Sequence, residues 1–361
     1  MTMPATHLAA LRHHEPAPLR AERAPLRHLR AHLETWRPYT LAYPGLLGLA
    51  GAAAGGTPAT GTWILVAAGA CPTLGWLGGH YLGDYYDRNL DAISKPQRPI
   101  PSGRLTPKAA RASGITAVLI AGGVTLLLNW PTLAGVLLAL VGLVAYSKVL
   151  KKRGIWGNAM RGALTALAIL FGAAITASPG QLPSWHAVPI AMVFLLHDTA
   201  SNLVGTLRDT DGDRAGGYRT VPVQKGLTAA TRTAAHLYTA ALLLAAGAAV
   251  LSAHVSAYLL LLLPAAGAGA TAFIPLVRSG ARLHPRLALW GHEVLVAERM
   301  VLAAAVLAGA WGPLRGLGVL LPLLTFSLVA QHRMRAKHEY VPPPREQRSG
   351  AEPTAHQKAD T

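Results

Sequence analysis

Long apolar runs separated by short charged segments organise this chain. Four stretches, 38–83, 112–147, 162–197 and 233–277, contain no Asp, Glu, Lys or Arg. A transmembrane helix takes about 20 residues, so each stretch has room for two helices that run on into their charged flanks. Each also carries a turn signal near its middle: Gly55-Gly56-Thr57-Pro58, Asn129-Trp130-Pro131, Ser178-Pro179-Gly180 and Ser252-Ala253-His254. The pattern predicts four helical hairpins. Region 287–332 is also apolar, though Glu293, Glu298 and Arg299 interrupt it. Two spans there, roughly 288–310 and 314–332, leave the basic Arg333, Arg335 and Lys337 on the same side as the other charged segments, so ten crossings are favoured over nine.

The segments between hairpins hold the charge: 84–111, 148–161, 198–232 and 278–286. Basic loops mark the cytoplasmic side, which places these loops inside and the uncharged hairpin turns outside the cell membrane. Residues 1–33, rich in Ala, Arg, His and Pro, lack an apolar run long enough for a signal peptide and read as a disordered cytoplasmic arm. The membrane domain is expected over 34–332, and 333–361 reads as a disordered polar tail. The order hairpin, acidic loop, hairpin, basic loop then occurs twice, which predicts two pseudo-repeats around a central cavity.

Composition agrees with this all-α, polytopic membrane bundle. Of 361 residues, 52% are hydrophobic and only 14% charged, against about a quarter charged in soluble domains. Mean hydropathy is +0.33. The net charge of +17 would suggest nucleic acid in a soluble protein; here basic cytoplasmic loops account for it, and no nucleic-acid partner is expected. Cys71 is the only cysteine, which excludes an intrachain disulfide and a CxxC metal site.

The candidate chemistry lies in two acidic clusters. At 100° per residue, His80, Asp84, Asp87 and Asp91 fall within about 60° on a helix. Should the helix before the third loop continue, Asp198, Asn202, Asp209 and Asp213 share a face in the same way. Stacked carboxylates repel one another and need a counter-ion. Their oxygens suit Mg²⁺, which is commonly shared with substrate phosphates. Lys95, Arg98, Lys148, Lys151, Lys152, Arg153 and Arg214 lie near the same face and are candidates for a phosphate clamp. The combination predicts a diphosphate site at the mouth of a membrane bundle. Two such clusters at matching places in a repeat argue against ordinary solvated loops.

Asp84-x-x-Asp87-x-x-x-Asp91, followed by Lys95-Pro96-x-Arg98-Pro99-Ile100-Pro101-Ser102-Gly103, resembles the first signature of the UbiA-type membrane prenyltransferase superfamily. Asp209-x-x-x-Asp213, with Gly217 and Arg219-Thr220-Val221-Pro222 after it, resembles the second. Trp36-Arg37-Pro38 and Tyr146-Ser147 with Lys151 are similar to further family positions, and the resemblance covers roughly residues 36–280. It implies that Asp84, Asp87, Asp91, Asp209 and Asp213 bind Mg²⁺-diphosphate, that Arg98 and Lys151 contact the phosphates, and that the isoprenoid lies in a tunnel open to the bilayer. Lys95, Tyr146, Asn202 and Arg214 complete the expected substrate-binding set. The chain departs from the family at Gly83, where Asn is usual and His80 or water is the substitute ligand, and in a tenth helix.

Asp198 follows an uncharged run; it is a candidate for holding the acceptor or taking the departing proton, with a structural hydrogen bond to His197, Asn202 or a neighbouring helix as the alternative. Glu293, Glu298 and Arg299 read as a structural ion pair or a helix end. Trp36, Trp130, Trp185 and Trp311 fit an interfacial belt. The expected activity is Mg²⁺-dependent transfer of an isoprenoid from an allylic diphosphate to a hydrophobic, aromatic or lipid-like acceptor. Two alternatives remain at this point: a membrane terpene cyclase, and a non-catalytic lipid-diphosphate binding or transport protein.

Overall fold

A computed structural model describes residues 24–56, 61–335 and 339. Its helices are α1 (Ala24–Trp36), α2 (Pro38–Ala54), α3 (Thr62–Ser94), α4 (Pro107–Leu128), α5 (Leu133–Lys148), α6 (Ile155–Thr176), α7 (Ala187–Arg208), α8 (Thr210–Ala215), α9 (Val221–Ala248), α10 (Val255–Ser279), α11 (Pro285–Trp311) and α12 (Pro313–Ala330). Nine of the described helices are long and apolar enough to cross a membrane. Helix α2, with 17 residues, is a tenth long helix, about 26 Å in length. The helices pair as the apolar runs predict: α2–α3, α4–α5, α6–α7, α9–α10 and α11–α12. Arg37 before α2, Lys95 after α3, Lys151 after α5, Asp209 after α7, Pro285 before α11 and Arg335 beyond α12 all line one cavity. Both ends of the bundle and every loop between hairpins therefore share one face.

Helices α7 and α11 form the centre, with 67% and 72% of their apolar windows buried, against 22% for α3, α4 and α12. Helix α2 packs against α3, α6, α11 and α12 and closes the ring. Glycine permits this approach. A Cβ built at Gly172 would lie 1.8 Å from the Gly48 carbonyl oxygen, and one at Gly51 would lie 1.9 Å from that of Ile169, so backbones touch where α2 crosses α6. Apolar side chains such as Leu127, Val250 and Leu263 are exposed around the bundle, as a bilayer-facing surface requires. Trp130 and Trp185 are exposed among them, as a belt requires, whereas Trp36 is half-buried and donates to the Tyr81 hydroxyl at 2.6 Å.

The boundaries of the two expected disordered ends need correction. Residues 1–23 lie outside the described residues, but 24–33 are helical. His32 and Trp36 of α1 both meet the Tyr81 hydroxyl, and Glu34 pairs with Arg104 at 2.6 Å, so polar contacts to α3 and its following loop order the segment. At the other end the helix runs on through a π turn to Arg335, and Glu339 is held by ion pairs in the cavity.

Candidate active site

The first acidic stripe forms because α3 continues for 33 residues without a break, well beyond its apolar part. Asp84, Asp87 and Asp91 are buried on one face. The second cluster is built differently. Helix α7 stops at Arg208, Asp209 adopts a non-helical backbone, and the short α8 begins afresh, with the Asp213 amide bonded to the Asp209 carbonyl at 2.8 Å. The predicted single face from Asp198 to Asp213 is thus broken at Asp209.

Both clusters open onto one polar cavity of about 450 Å³. Asp84, Asp87, Asp91, Lys95, Arg98, Tyr146, Lys151, Asn202, Asp209 and Asp213 all line it, which brings ten of the twelve expected site residues together. Cations separate the carboxylates. Arg37 pairs with Asp84 at 2.5 Å, Lys151 with Asp87 at 2.5 Å, and Arg98 with Asp91 at 3.0 Å. Lys95 reaches Asp209 at 3.1 Å, and Arg208 grips the same carboxylate with two bonds of 2.8 and 3.0 Å. Among the described residues no three His, Cys, Asp or Glu side chains converge closely enough to hold an ion. Yet Asp84 Oδ2 and Asp87 Oδ1 are buried without a hydrogen-bond partner among those residues. Such orphaned carboxylate oxygens are what a hard cation would use, so the donor set fits Mg²⁺.

These charges shape the titration of the loop residues. Burial and the adjacent Asp209 carboxylate push Asp213 up to about 6, against the lowering effect of Lys151. Asp209 is also penalised by burial, but Arg208 and Lys95 more than reverse this and hold it well below the usual carboxylate range. Burial disfavours the Lys151 ammonium, and Asp87 outweighs that, so Lys151 stays charged.

Two expected site residues lie elsewhere. Arg214 is 59% exposed and pairs with Asp211 at 2.8 Å; three residues apart on α8, the two meet on the solvent side. Asp198 is buried inside the bundle, taking a hydrogen bond from Thr165 at 2.5 Å and an ion pair from Arg299 at 3.3 Å. Its neighbour His197 bonds to Glu298 at 2.5 Å, and Tyr238 donates to Glu298 at 3.2 Å. Glu298 and Arg299 thus pair with α7 rather than with each other. Lys148, Lys152 and Arg153 are exposed, with Lys148 over the Tyr86 ring and Lys152 over the Tyr218 ring.

The sequence reading missed Arg37, Tyr39, Arg161, Arg208, His292, Arg335 and Glu339 as cavity residues. Arg37 had a signal in Trp36-Arg37-Pro38. It is the only described non-glycine residue with positive φ, at 48°, and that strained turn at the start of α2 directs its guanidinium to Asp84. Arg208 had a weaker signal in its adjacency to Asp209. His80 and Gly83 also line the cavity. The Trp36 carbonyl lies 2.9 Å from His80 Nδ1, which fixes the proton there and leaves Nε2 as an acceptor.

An apolar pocket of about 110 Å³ lies beside the polar one, walled by Leu47, Cys71, Trp76, Val136, Leu143 and Phe171 among others. Gly79 and Arg161 border both. At this junction the Arg161 guanidinium lies 4.2 Å from the Trp76 ring centre and 5.7 Å from that of Tyr146.

Residues 41–293 match the family described as UbiA prenyltransferase. A digeranylgeranylglyceryl phosphate synthase of Methanopyrus kandleri is 34% identical over 209 residues, covering 57% of this chain and 73% of that protein. One from Ignicoccus hospitalis is 37% identical over 221 residues, covering 60% and 71%. The fold is similar to that of a UbiA homologue from Archaeoglobus fulgidus bound to DMAPP and Mg²⁺, with a TM-score of 0.59, 16% identity, and coverage of 78% of this chain and 99% of that one. A match that spans both aspartate clusters and the basic loops between them makes this chain a member of the UbiA prenyltransferase family and an integral membrane prenyltransferase.

Proposed function

We propose that the protein transfers an isoprenoid from its allylic diphosphate to a lipid acceptor bearing a glyceryl phosphate group, with Mg²⁺ as cofactor and the site on the cytoplasmic face. The observation that carries this is the joining of two facing carboxylate clusters to an apolar pocket at Gly79 and Arg161. The acceptor class follows that of the related digeranylgeranylglyceryl phosphate synthases.

Asp84, Asp87 and Asp91 on one wall, with Asp209 and Asp213 on the other, would hold the metal. Bound there, Mg²⁺ would neutralise the charge that develops on the departing diphosphate. Lys151 and Arg98 supply charge-assisted hydrogen bonds to the same leaving group. The apolar pocket takes the prenyl chain and keeps water from the allylic carbon. Trp76 and Tyr146 present ring faces at the junction, where positive charge develops on that carbon. Asp198 takes no direct part.

The test is diphosphate release and lipid-product mass spectrometry with purified protein, allylic diphosphates of several lengths, Mg²⁺ and either a glyceryl-phosphate prenyl ether or an aromatic acceptor. Prenylation of the phosphate-bearing ether supports the reading. Transfer only to the aromatic acceptor overturns the acceptor class, a cyclised product overturns transfer, and no release with any diphosphate overturns catalysis.

A further inference from the structure

Glu339 places its carboxylate among cations suited to phosphate. Oε2 lies 3.2 Å from Lys95 Nζ, 3.1 Å from Arg98 Nη2 and 3.3 Å from Arg208 Nη2. Oε1 accepts the Tyr39 hydroxyl at 3.3 Å. The side chain is 10% exposed, so these contacts are made away from bulk water. Arg98 stands between two sets of anions, with Nη1 on Asp91 and Nη2 on Glu339.

Lys95 and Arg208 also pair with Asp209, and Arg98 with Asp91, so Glu339 shares its three cations with two neighbouring carboxylates. The same wall still has donors to spare. Arg98 Nε and Arg208 Nη1 are buried and have no hydrogen-bond partner among the described residues, whereas Arg335 Nε lies 4.0 Å from Glu293. Arg335 is 2% exposed and is held in place by Gln331 at 2.7 Å and His292 at 2.9 Å. Buried guanidinium N–H groups are rarely left unpaired. A phosphomonoester brings three terminal oxygens and a second charge, and so can engage donors that the carboxylate leaves over. Charge balance points the same way. The cavity wall carries seven Lys and Arg residues against seven Asp and Glu residues, one of which is Glu339. Moving Glu339 out leaves a positive excess, which an anionic second substrate would neutralise.

We propose that Lys95, Arg208, Tyr39 and the Nη2 group of Arg98 form a second anion seat, held by Glu339 in the resting protein and taken over by the phosphomonoester of the lipid acceptor, while Arg98 Nη1 stays on the side of Asp91 and the diphosphate. This rests on the reading that the neighbouring carboxylates hold Mg²⁺ and the allylic diphosphate. Glu339 then acts as a stand-in that keeps the cations in position, and acceptor binding must displace it.

The experiment measures binding to the full-length protein in nanodiscs by calorimetry, with inorganic phosphate, lysophosphatidic acid and magnesium pyrophosphate as probes. An intrachain occupant lowers the apparent affinity by the fraction of time that the seat is open, so Glu339→Gln and Glu339→Ala should bind phosphate about tenfold more tightly than wild type. Affinity for magnesium pyrophosphate should change by less than about twofold, and phosphate should still bind with magnesium pyrophosphate at saturation. Lysophosphatidic acid should bind more tightly than phosphate, because its chain adds apolar burial. Unchanged phosphate affinity in both variants overturns the stand-in role. Mutual exclusion of phosphate and magnesium pyrophosphate overturns a second seat. Equal affinity for phosphate and lysophosphatidic acid makes it a free-phosphate site and overturns the lipid assignment. Failure of magnesium pyrophosphate to bind at all counts against the proposed function, while the phosphate titrations still report on Glu339.

Discussion

Replacing Lys151 by Met tests whether the Lys151–Asp87 pair is where metal and leaving group meet. The pair is separated by 2.5 Å, and at an effective dielectric constant of about 20 its gross attraction is about 6–7 kcal/mol. Desolvation of both ions offsets much of that. Breaking a fully buried pair costs about 3–5 kcal/mol, whereas exposed pairs contribute about 0–1. Lys151 is 24% exposed and Asp87 11%, so solvent screens the stranded carboxylate and a loss of about 2 kcal/mol is expected in EDTA. Saturating Mg²⁺ should reduce this loss, because the cation that joins Asp87 replaces the missing charge. The rate of diphosphate release should still fall by about 10²-fold, since the lost donor acts on the leaving group. Denaturant unfolding with and without Mg²⁺, alongside a release assay, separates the two effects. An equal stability loss in both conditions would place the metal away from Asp87. A wild-type rate in Lys151→Met would remove Lys151 from the leaving-group site.

Asp213, pushed up to about 6, loses its charge as pH falls through that value, and a metal ligand must be ionised. The Mg²⁺ concentration for half-maximal binding should therefore rise about tenfold between pH 7 and pH 5, and Asp213→Asn should flatten that profile. Gly172→Ala should destabilise the bundle by about 1–3 kcal/mol or more, because its Cβ would overlap the Gly48 carbonyl, while Gly123→Ala, whose Cβ would meet nothing within 4 Å, serves as the neutral control in the same unfolding assay. Cysteines placed at the exposed Ser102 and Lys152 should react with an impermeant label from one side of the membrane, and cysteines at Trp130 and Gln181 from the other. Labelling of all four from one side would refute the hairpin arrangement; Cys71 is buried and should stay silent. Gly83→Asn should keep activity or lower the Mg²⁺ requirement, since the position opens onto free space, and His80→Ala should raise it. An unchanged Mg²⁺ requirement in His80→Ala removes its imidazole from the metal site.

The parts of the site legible in the sequence are those set by spacing along a single helix. Asp84, Asp87 and Asp91 extend a stripe on α3, and carboxylates continuing an apolar helix stand out against their surroundings. The hairpins were legible for a related reason, since charge and its absence mark the ends of each apolar run. Contacts between distant segments left no such trace. Asp198 is as costly in an apolar run as any catalytic acid, and its pairing with Arg299 on α11 and Thr165 on α6 could not be read from spacing. Arg37 and Arg335 are remote in sequence and border one cavity because α2 and α12 pack together. Glu339 had no local signal at all, because one of several acidic residues in a polar tail looks like solvent-facing chain. Arg214 erred in the opposite direction: the spacing that placed it near the cluster also allowed it to turn outward to Asp211.

Arg153–Gly154 and Arg219–Thr220 pair as two short parallel strands, joining the basic loop after α5 to the acidic loop after α7. The pairing begins two residues after Lys151 and six after Asp213. Although each loop belongs to a different pseudo-repeat, the clasp ties them into one mechanical unit. Displacing either loop alone would break the backbone hydrogen bonds between them. Lys151 and Asp213 would then travel together, so a ligand that shifts one loop would report its arrival to the other half of the bundle. Thr220→Pro, which removes a strand amide, would uncouple them, and the two halves of the site would respond to ligand separately.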